Sequence, residues 1–188
     1  VKHIESDLVD HMEIGGAGFI NFYLTNDLVY SELRQILAAG KDYGNLPNKG
    51  NGLINLEYVS ANPTGPLHIG HARGAAWGSA LANLYRAAGY NITTEYYIND
   101  AGNQIQKFGK SLAIRYLQLY KGEEAVPLPE DAQGADIIAR AKEFAEIHGD
   151  SYVDKDFEEL KDALIADALP KNIAGLQRDL GKYRITYD

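Results

Sequence analysis

Apolar and aromatic positions alternate through GFINFYL (18–24), which is the period of a strand. The next stretch changes period. Leu28, Leu33, Ile36 and Leu37 fall at helical spacing, with Thr25 or Asn26 available as a cap and Gly40 as a stop. KDYGNLPNKGNG (41–52) has no period and is rich in Gly, Asn, Lys and Pro, so it reads as a linker and a domain boundary. GLINLEYVSA (52–61) reads as a strand and NPTGP as a loop. From Leu67 to Ala88 the positions Ile69, Ala76, Ala80, Leu84 and Ala88 are helically spaced, and Gly89 ends the run. NITTEYYIN (91–99) is the next strand. Strand, helix and strand in this order make a βαβ unit, for which parallel pairing is expected. Asp100 is placed to cap a helix over 101–121 with Ile105, Phe108, Leu112 and Leu119 on one face. EEAVPLPEDAQG (123–134) reads as a loop. Helices are then predicted over 135–148, over 155–169 with a break at Pro170, and over 171–180.

The length of 188 residues and a hydrophobic fraction of 45% allow one full domain plus part of another. Charge refines this picture. The net charge of −8 argues against nucleic-acid binding by bulk electrostatics, and no DNA partner is expected. Residues 123–168 hold 14 acidic and 4 basic side chains, and the remainder 12 and 14, so the acidity belongs to the helical C-terminal part. That part is expected to be a solvated insertion. The chain has no cysteine, which excludes a disulfide scaffold and thiolate zinc sites and fits a reducing cytoplasm. No apolar run is long enough to span a bilayer and no signal peptide opens the chain, so no membrane partner is expected. The sequence opens on Val1, has Met12 as its only methionine and stops at Asp188 inside the extended-looking YRITYD. It is therefore expected to be a piece of a longer protein.

The candidate chemistry lies in ANPTGPLHIGHARG (61–74). In a βαβ unit the helix start lies at the carboxyl edge of the sheet, where such folds bind ligands. Its first N–H groups have no intrahelical partner and carry partial positive charge, which favours phosphate. His68 and His71, three apart, share one face near that pole, and imidazole donates a hydrogen bond without a permanent charge. Gly70 lets a flat ligand approach the backbone, and Pro63 and Pro66 stiffen the loop. A helix-start histidine can also simply cap or face solvent; two at this spacing behind this loop favour the phosphate site. No GxGxxG, GxxxxGK[ST] or HExxH motif competes.

LHIGH resembles the HIGH motif of class I aminoacyl-tRNA synthetases, and SANPTGPLHIGHAR is similar specifically to arginyl-tRNA synthetases. Two further segments agree: GGAGFINFYL is similar to the strand closing the appended N-terminal domain of that family, and EYYINDAGNQI to its bacterial pattern after the second strand. The resemblance covers about residues 15–118 and implies an α/β fold. Residues 1–44 would then end the appended α+β domain. Residues 45–122 would form the first half of a Rossmann-like parallel sheet with its HIGH motif (Ala61, Asn62, Pro63, Thr64, Gly65, Pro66, Leu67, His68, Ile69, Gly70, His71), and 123–188 a truncated helical insertion.

The resemblance also implies a reaction. The carboxylate of L-arginine attacks the α-phosphorus of ATP, pyrophosphate leaves, and the arginyl group of the adenylate passes to tRNA(Arg). Mg²⁺ comes with ATP. Pro66, Leu67, His68, Gly70 and His71 would contact ATP, with His68 and His71 catalytic through charge stabilisation. Glu57, at the end of its strand, is by composition equally a surface charge or a guanidinium partner, and the resemblance shifts it to the arginine site. Ser60 and Asn62 suit the substrate's amino and carboxylate groups, with local turn chemistry as the competing role. Gln104 is preferred over Asp100 as a ligand-facing residue. Arg73 reads as a solvated helix arginine and Trp77 as core. One of Tyr96 and Tyr97 should be buried. No KMSKS loop and no anticodon-binding domain occur, so the chain is expected to fold around 50–121, to bind ATP weakly and not to aminoacylate. Two alternatives stay open: a glutamyl-like or other class I synthetase, and a non-catalytic tRNA-binding module.

Overall fold

The computed structural model describes residues 4–48, 50, 52–127 and 134–188; parts of the predicted 41–52 linker (49, 51) and 123–134 loop (128–133) lie outside these. The chain divides into two compact units, residues 1–47 with 87–89, and residues 48–86 with 90–188.

In the first unit, β1 (Val9–Gly15) pairs antiparallel with β2 (Phe19–Leu24). The sequence pattern showed only β2. β1 carries His11 and Glu13 around Met12, so its strand comes from pairing rather than from an apolar alternation. Gly16 and Gly18, at φ 51° and 113°, make the turn between the strands. Helix α1 (Asn26–Ala39) follows Thr25, whose side chain makes no capping bond, and ends at Gly40, whose N–H donates to the Ile36 carbonyl.

The second unit contains the βαβ element. β3 (Ile54–Glu57) and β4 (Ile92–Glu95) pair in parallel, with Ile54 opposite Ile92 and Glu57 opposite Glu95. Both strands are shorter than predicted. After β3 the reason is the backbone, since Val59 and Ser60 adopt φ of 69° and 39°, which no strand can contain.

Helix α2 (Ile69–Ala87) joins the strands. It buries its small side, Ala75, Gly78 and Ala82. A Cβ at Gly78 would lie 2.2 Å from the Tyr58 ring, so only a small face can approach here. The predicted apolar stripe lies on the opposite side and is open: Ile69 is 82% exposed and Leu84 68%. Trp77, expected in the core, shares that side at 73%.

The largest core is helical. Phe108, Leu112 and Tyr116 of α3 (Asn103–Lys121) pack with Ile137, Ala141 and Phe144 of α4 (Ala135–His148) and with Leu160, Leu164 and Ala168 of α5 (Phe157–Lys182). The C-terminal helices therefore do more than present a solvated surface: they share a core with α3. Their acidic side chains sit mainly on outer faces while their apolar stripes close over α3. The α3 face runs Ile105, Phe108, Leu112 and Tyr116, and Leu119 falls outside it, half exposed. Asp100 does not cap this helix; Gly102 at φ 85° holds the cap position. The Tyr116 hydroxyl donates to the Gly149 carbonyl at 2.7 Å and accepts from Tyr152 N–H at 3.3 Å, which ties α3 to the α4–α5 connection.

Pro170 does not break α5 as expected; one helix runs from Phe157 to Lys182. Proline lacks the N–H that would bond the Ala166 carbonyl, but Ala168 before it and Leu176 after it are both buried. Packing on both sides outweighs the lost bond. Beyond Leu176, Leu180 and Ile185 form a second cluster with Ala75, lined by Tyr58, Leu67, Tyr96 and Tyr187. This brings the end of α5 against the start of α2 and the exits of both strands.

Because the Pro170 side chain is exposed, Pro170→Ala should restore the Ala166 bond without opening a cavity. We expect stability to rise by about 2 kcal/mol in urea denaturation, after allowing for the freer unfolded chain. A lower midpoint would show that the ring packs favourably where it is.

Candidate functional site

The chain leaves β3 through a left-handed bend at Val59–Ser60 and then runs through five residues, 61–65, that are held from several directions. Tyr58 N–H still donates to the Glu95 carbonyl (3.3 Å), and the Tyr58 carbonyl accepts from the Tyr187 hydroxyl (3.1 Å). Ser60 Oγ accepts from Tyr97 N–H at 3.0 Å. The Ala61 carbonyl accepts from the Tyr96 hydroxyl at 2.7 Å, and the Asn62 amide donates to Gln104 Oε1. Pro63 is fully buried and its carbonyl accepts from Asn172 Nδ2 at 3.0 Å. The loop is thus anchored to the β4 exit, to α3 and to α5. Burial holds the Tyr96 and Tyr187 phenols above their usual range, so both stay protonated donors.

The loop delivers two histidines to the start of α2. The His68 carbonyl accepts from Ala72 N–H (3.1 Å), so His68 sits just before the helix and His71 on its first turn. Their rings stack, with centroids 3.7 Å apart and 21° between planes. Gly70 N–H donates to His68 Nδ1 at 3.1 Å, and His68 N–H donates to His71 Nδ1 at 3.2 Å. A backbone N–H can only donate, so both Nδ1 atoms must accept and the ring protons lie on Nε2. The capping role and the ligand-facing role are therefore compatible: one nitrogen of each ring satisfies the helix start, and the other offers an N–H. Burial, and secondarily the neighbouring His68, lower the pKa of His71, which keeps its ring neutral at pH 7. A Cβ at residue 70 would meet His68 Cε1 at 3.0 Å and Nδ1 at 3.1 Å, so glycine is what allows this ring position.

The other singled-out residues fall around the same edge. Glu57 is exposed at the last β3 position, in register with Glu95, which accepts from the Asn55 amide. Asn62 and Gln104 are brought together as a pair. Pro66 is exposed and Leu67 partly buried beside His68. Arg73 and Asp100 are exposed, and of the two tyrosines Tyr97 is open while Tyr96 turns inward.

The structure adds residues that no local pattern marked. An open cleft of about 280 Å³ beside His68 is flanked by Asp179, Lys182 and Tyr183 at the end of α5. Lys182 Nζ lies 2.9 Å from Asp179 Oδ1, and this contact lowers the Asp179 pKa. Lys182 stands more than a hundred residues from the histidines, and only the packing of α5 on α2 makes it a neighbour. Among the described residues no group of three His, Cys, Asp or Glu side chains is placed to cage a metal ion, and no helix is long and apolar enough to cross a membrane.

A parallel strand pair with an anion-suited helix start at its carboxyl edge is the arrangement of the class I tRNA synthetases. The chain belongs to that family: residues 32–144 match the family described as tRNA synthetases class I (R), catalytic domain. Within the class the similarity is to the arginine enzymes. The chain is 49% identical to arginine–tRNA ligase of Ruminiclostridium cellulolyticum, which aligns with 100% of it, and 51% identical to that of Caldanaerobacter subterraneus over 96% of it. A solved Campylobacter jejuni protein assigned as an arginyl-tRNA synthetase superposes with a TM-score of 0.75 at 37% identity, over 88% of this chain and 36% of the other. The chain spans about a third of the length of the curated relatives it matches (34% and 32%). These relatives do not favour a glutamyl-like enzyme.

The neutral His71 sets a pH dependence. Its folded pKa lies below the ordinary 6.5, so the unfolded chain takes up a proton first as pH falls. Its contribution to stability is full above 6.5 and is lost as pH drops through the lowered value. In an NMR titration the His71 ring should reach its midpoint below 6.5, and His68→Ala should raise that midpoint only part of the way, because burial remains. A midpoint above 6.5 would contradict the ring environment described here.

Proposed function

We propose that this chain is the ATP-binding part of an arginine–tRNA ligase. The observation that carries this reading is the occupation of both Nδ1 atoms by backbone N–H groups, which leaves two Nε2–H donors side by side at a helix start. Such a pair suits negative charge growing on phosphate oxygens, and being held in place it needs no reorganisation as that charge grows.

In this reading L-arginine lies along the loop at the strand ends. Glu57 takes the guanidinium, with Glu95 beside it in register adding negative potential. Ser60, Asn62 and Gln104 hold the amino and carboxylate groups. The Ser60 hydroxyl still has its proton to donate, since its oxygen is the acceptor for Tyr97 N–H. The arginine carboxylate oxygen bonds to the α-phosphorus of ATP as the bond to pyrophosphate breaks, giving an arginyl-adenylate, and the arginyl group then passes to tRNA(Arg). No protein nucleophile takes part, so the protein's share is positioning and charge stabilisation. Pro66, Leu67 and Gly70 shape the nucleotide's approach to His68 and His71. Mg²⁺ arrives on the ATP phosphates, and the chain's own residues offer hydrogen-bond donors to those phosphates. The division into an appended-domain end (1–44), a Rossmann-like half (45–122) and a helical segment (123–188) is part of the same proposal, as is a cytoplasmic location.

The test is ATP–pyrophosphate exchange with arginine and tRNA. In the full-length ligase, His68→Ala and His71→Ala should each lower the exchange rate about 10²- to 10³-fold, the usual effect of removing one charge-stabilising donor. Exchange at the unsubstituted rate would refute the assignment. The 188-residue chain alone should bind ATP weakly and give no exchange; robust turnover by it would show that this segment holds the complete site. Gly70→Ala, which pushes a methyl group against the His68 ring, should weaken ATP binding with little effect on thermal stability, as read by calorimetry.

A further inference from the structure

The helical segment touches the loop at one point whose hydrogen bonding is fully determined. Asn172 of α5 donates from Nδ2 to the Pro63 carbonyl at 3.0 Å, and its Oδ1 accepts from Arg140 Nε of α4 at 3.0 Å. The two contacts fix the amide's orientation, because a guanidinium only donates and a carbonyl only accepts. Arg140 is itself held, with its NH1 2.7 Å from Glu143 Oε2, and Glu143 also faces Lys171 Nζ at 3.7 Å. Next in the loop, Gly65 lies so close to Asp136 of α4 that an added Cβ would sit 3.3 Å from its Oδ2. A buried proline carbonyl needs a partner, and Pro63 brings no N–H of its own. Asn172 therefore holds the loop at Pro63, five residues before His68.

We propose that Asn172, oriented by Arg140, is a positioning residue for the HIGH loop, and that the acidic helices α4 and α5 serve the site by this contact. The proposal rests on the reading of His68 and His71 as phosphate donors. It gives the helical segment a part in the chemistry beyond enclosing a core. Loss of the Asn172 contact frees the loop end without opening the α3–α4–α5 core, because Asn172 is absent from that cluster.

The proposal is tested in two arms. In the 188-residue chain, amide hydrogen exchange over residues 61–72 should speed up about tenfold in Asn172→Ala, while segments of α3 and α5 away from the contact keep their protection. Asn172→Asp, of the same shape, keeps the acceptor for Arg140 and removes the donor, so it should fold and show the same local loosening. Lys155→Ala, which removes an exposed pair at the start of α5, should leave the loop unchanged. In the full-length ligase, Asn172→Ala should lower kcat for exchange about tenfold with little change in KM for ATP. Arg140→Ala should act in the same direction, and the double variant should be no worse than Asn172→Ala. Unchanged exchange over 61–72 in both Asn172 variants, or additive losses in the double variant, would overturn the proposal. If ATP does not move the His68 and His71 ring signals in the unsubstituted chain, the nucleotide reading fails; the hydrogen-exchange arm still decides whether Asn172 holds the loop.

Discussion

The constraint on which the site depends is the left-handed bend at Val59–Ser60. Neither residue is glycine, and Val59 is β-branched, so each position carries strain of about 1–3 kcal/mol. The bend persists because its surroundings hold it. The chain before it is still hydrogen-bonded to β4 through Tyr58, and the chain after it is bonded through Ser60 Oγ, the Ala61 carbonyl and the Pro63 carbonyl. The bend turns the chain off the sheet edge, so that it reaches the start of α2 with His68 before the helix and His71 on its first turn. A straight continuation of β3 would carry Ser60 and Asn62 along the sheet instead of across its carboxyl end.

The molecule separates the proposed site from the place of stability. The βαβ element supplies the sheet edge and the helix pole, yet its own buried face is small, being made of Ala75, Gly78 and Ala82. Most of the buried apolar volume lies in α3, α4 and α5, where Leu112, Tyr116, Phe144, Leu160 and Leu164 are nearly or fully excluded from water. The helix pole gains from this arrangement. The loop in front of it is braced by elements whose burial does not depend on the ligand, and a donor pair that is already in place costs little to order on binding. In the proposed role the His71 ring needs no charge, since a neutral imidazole with its proton on Nε2 still donates where burial disfavours the cation.

Much of the fold was legible from periodicity. The strand in GFINFYL, the parallel pairing of the next two strands, the helix behind LHIGH and the helices expected over 101–121 and 135–148 all follow from apolar spacing and from glycine stops, the first of these two beginning two residues later than expected, at Asn103. The failures have specific physical causes. β1 has no apolar alternation to reveal it. Pro170 reads as a helix breaker, but buried Ala168 and Leu176 on either side hold the helix together. The acidic surface of residues 123–168 suggested a solvated insertion, because charge counts carry no information about which face a charge lies on. Trp77 and Ile69 look like core residues by type, whereas α2 turns its smallest face inward to clear the Tyr58 ring.

The sequence alone determined that two imidazoles stand three apart at a helix start behind a stiff loop, because local spacing and turn chemistry act over a few residues. It also determined the family, through motifs that are contiguous in the chain. Only the tertiary structure decided which ring nitrogen carries the proton, because that depends on where two backbone N–H groups point in space. It likewise decided that Tyr96, Asn172 and Lys182 belong to the surroundings of the site. These residues lie between 25 and 120 positions from the loop or its histidines, and no local pattern reports a contact made when α5 closes onto α2 and the β3 exit.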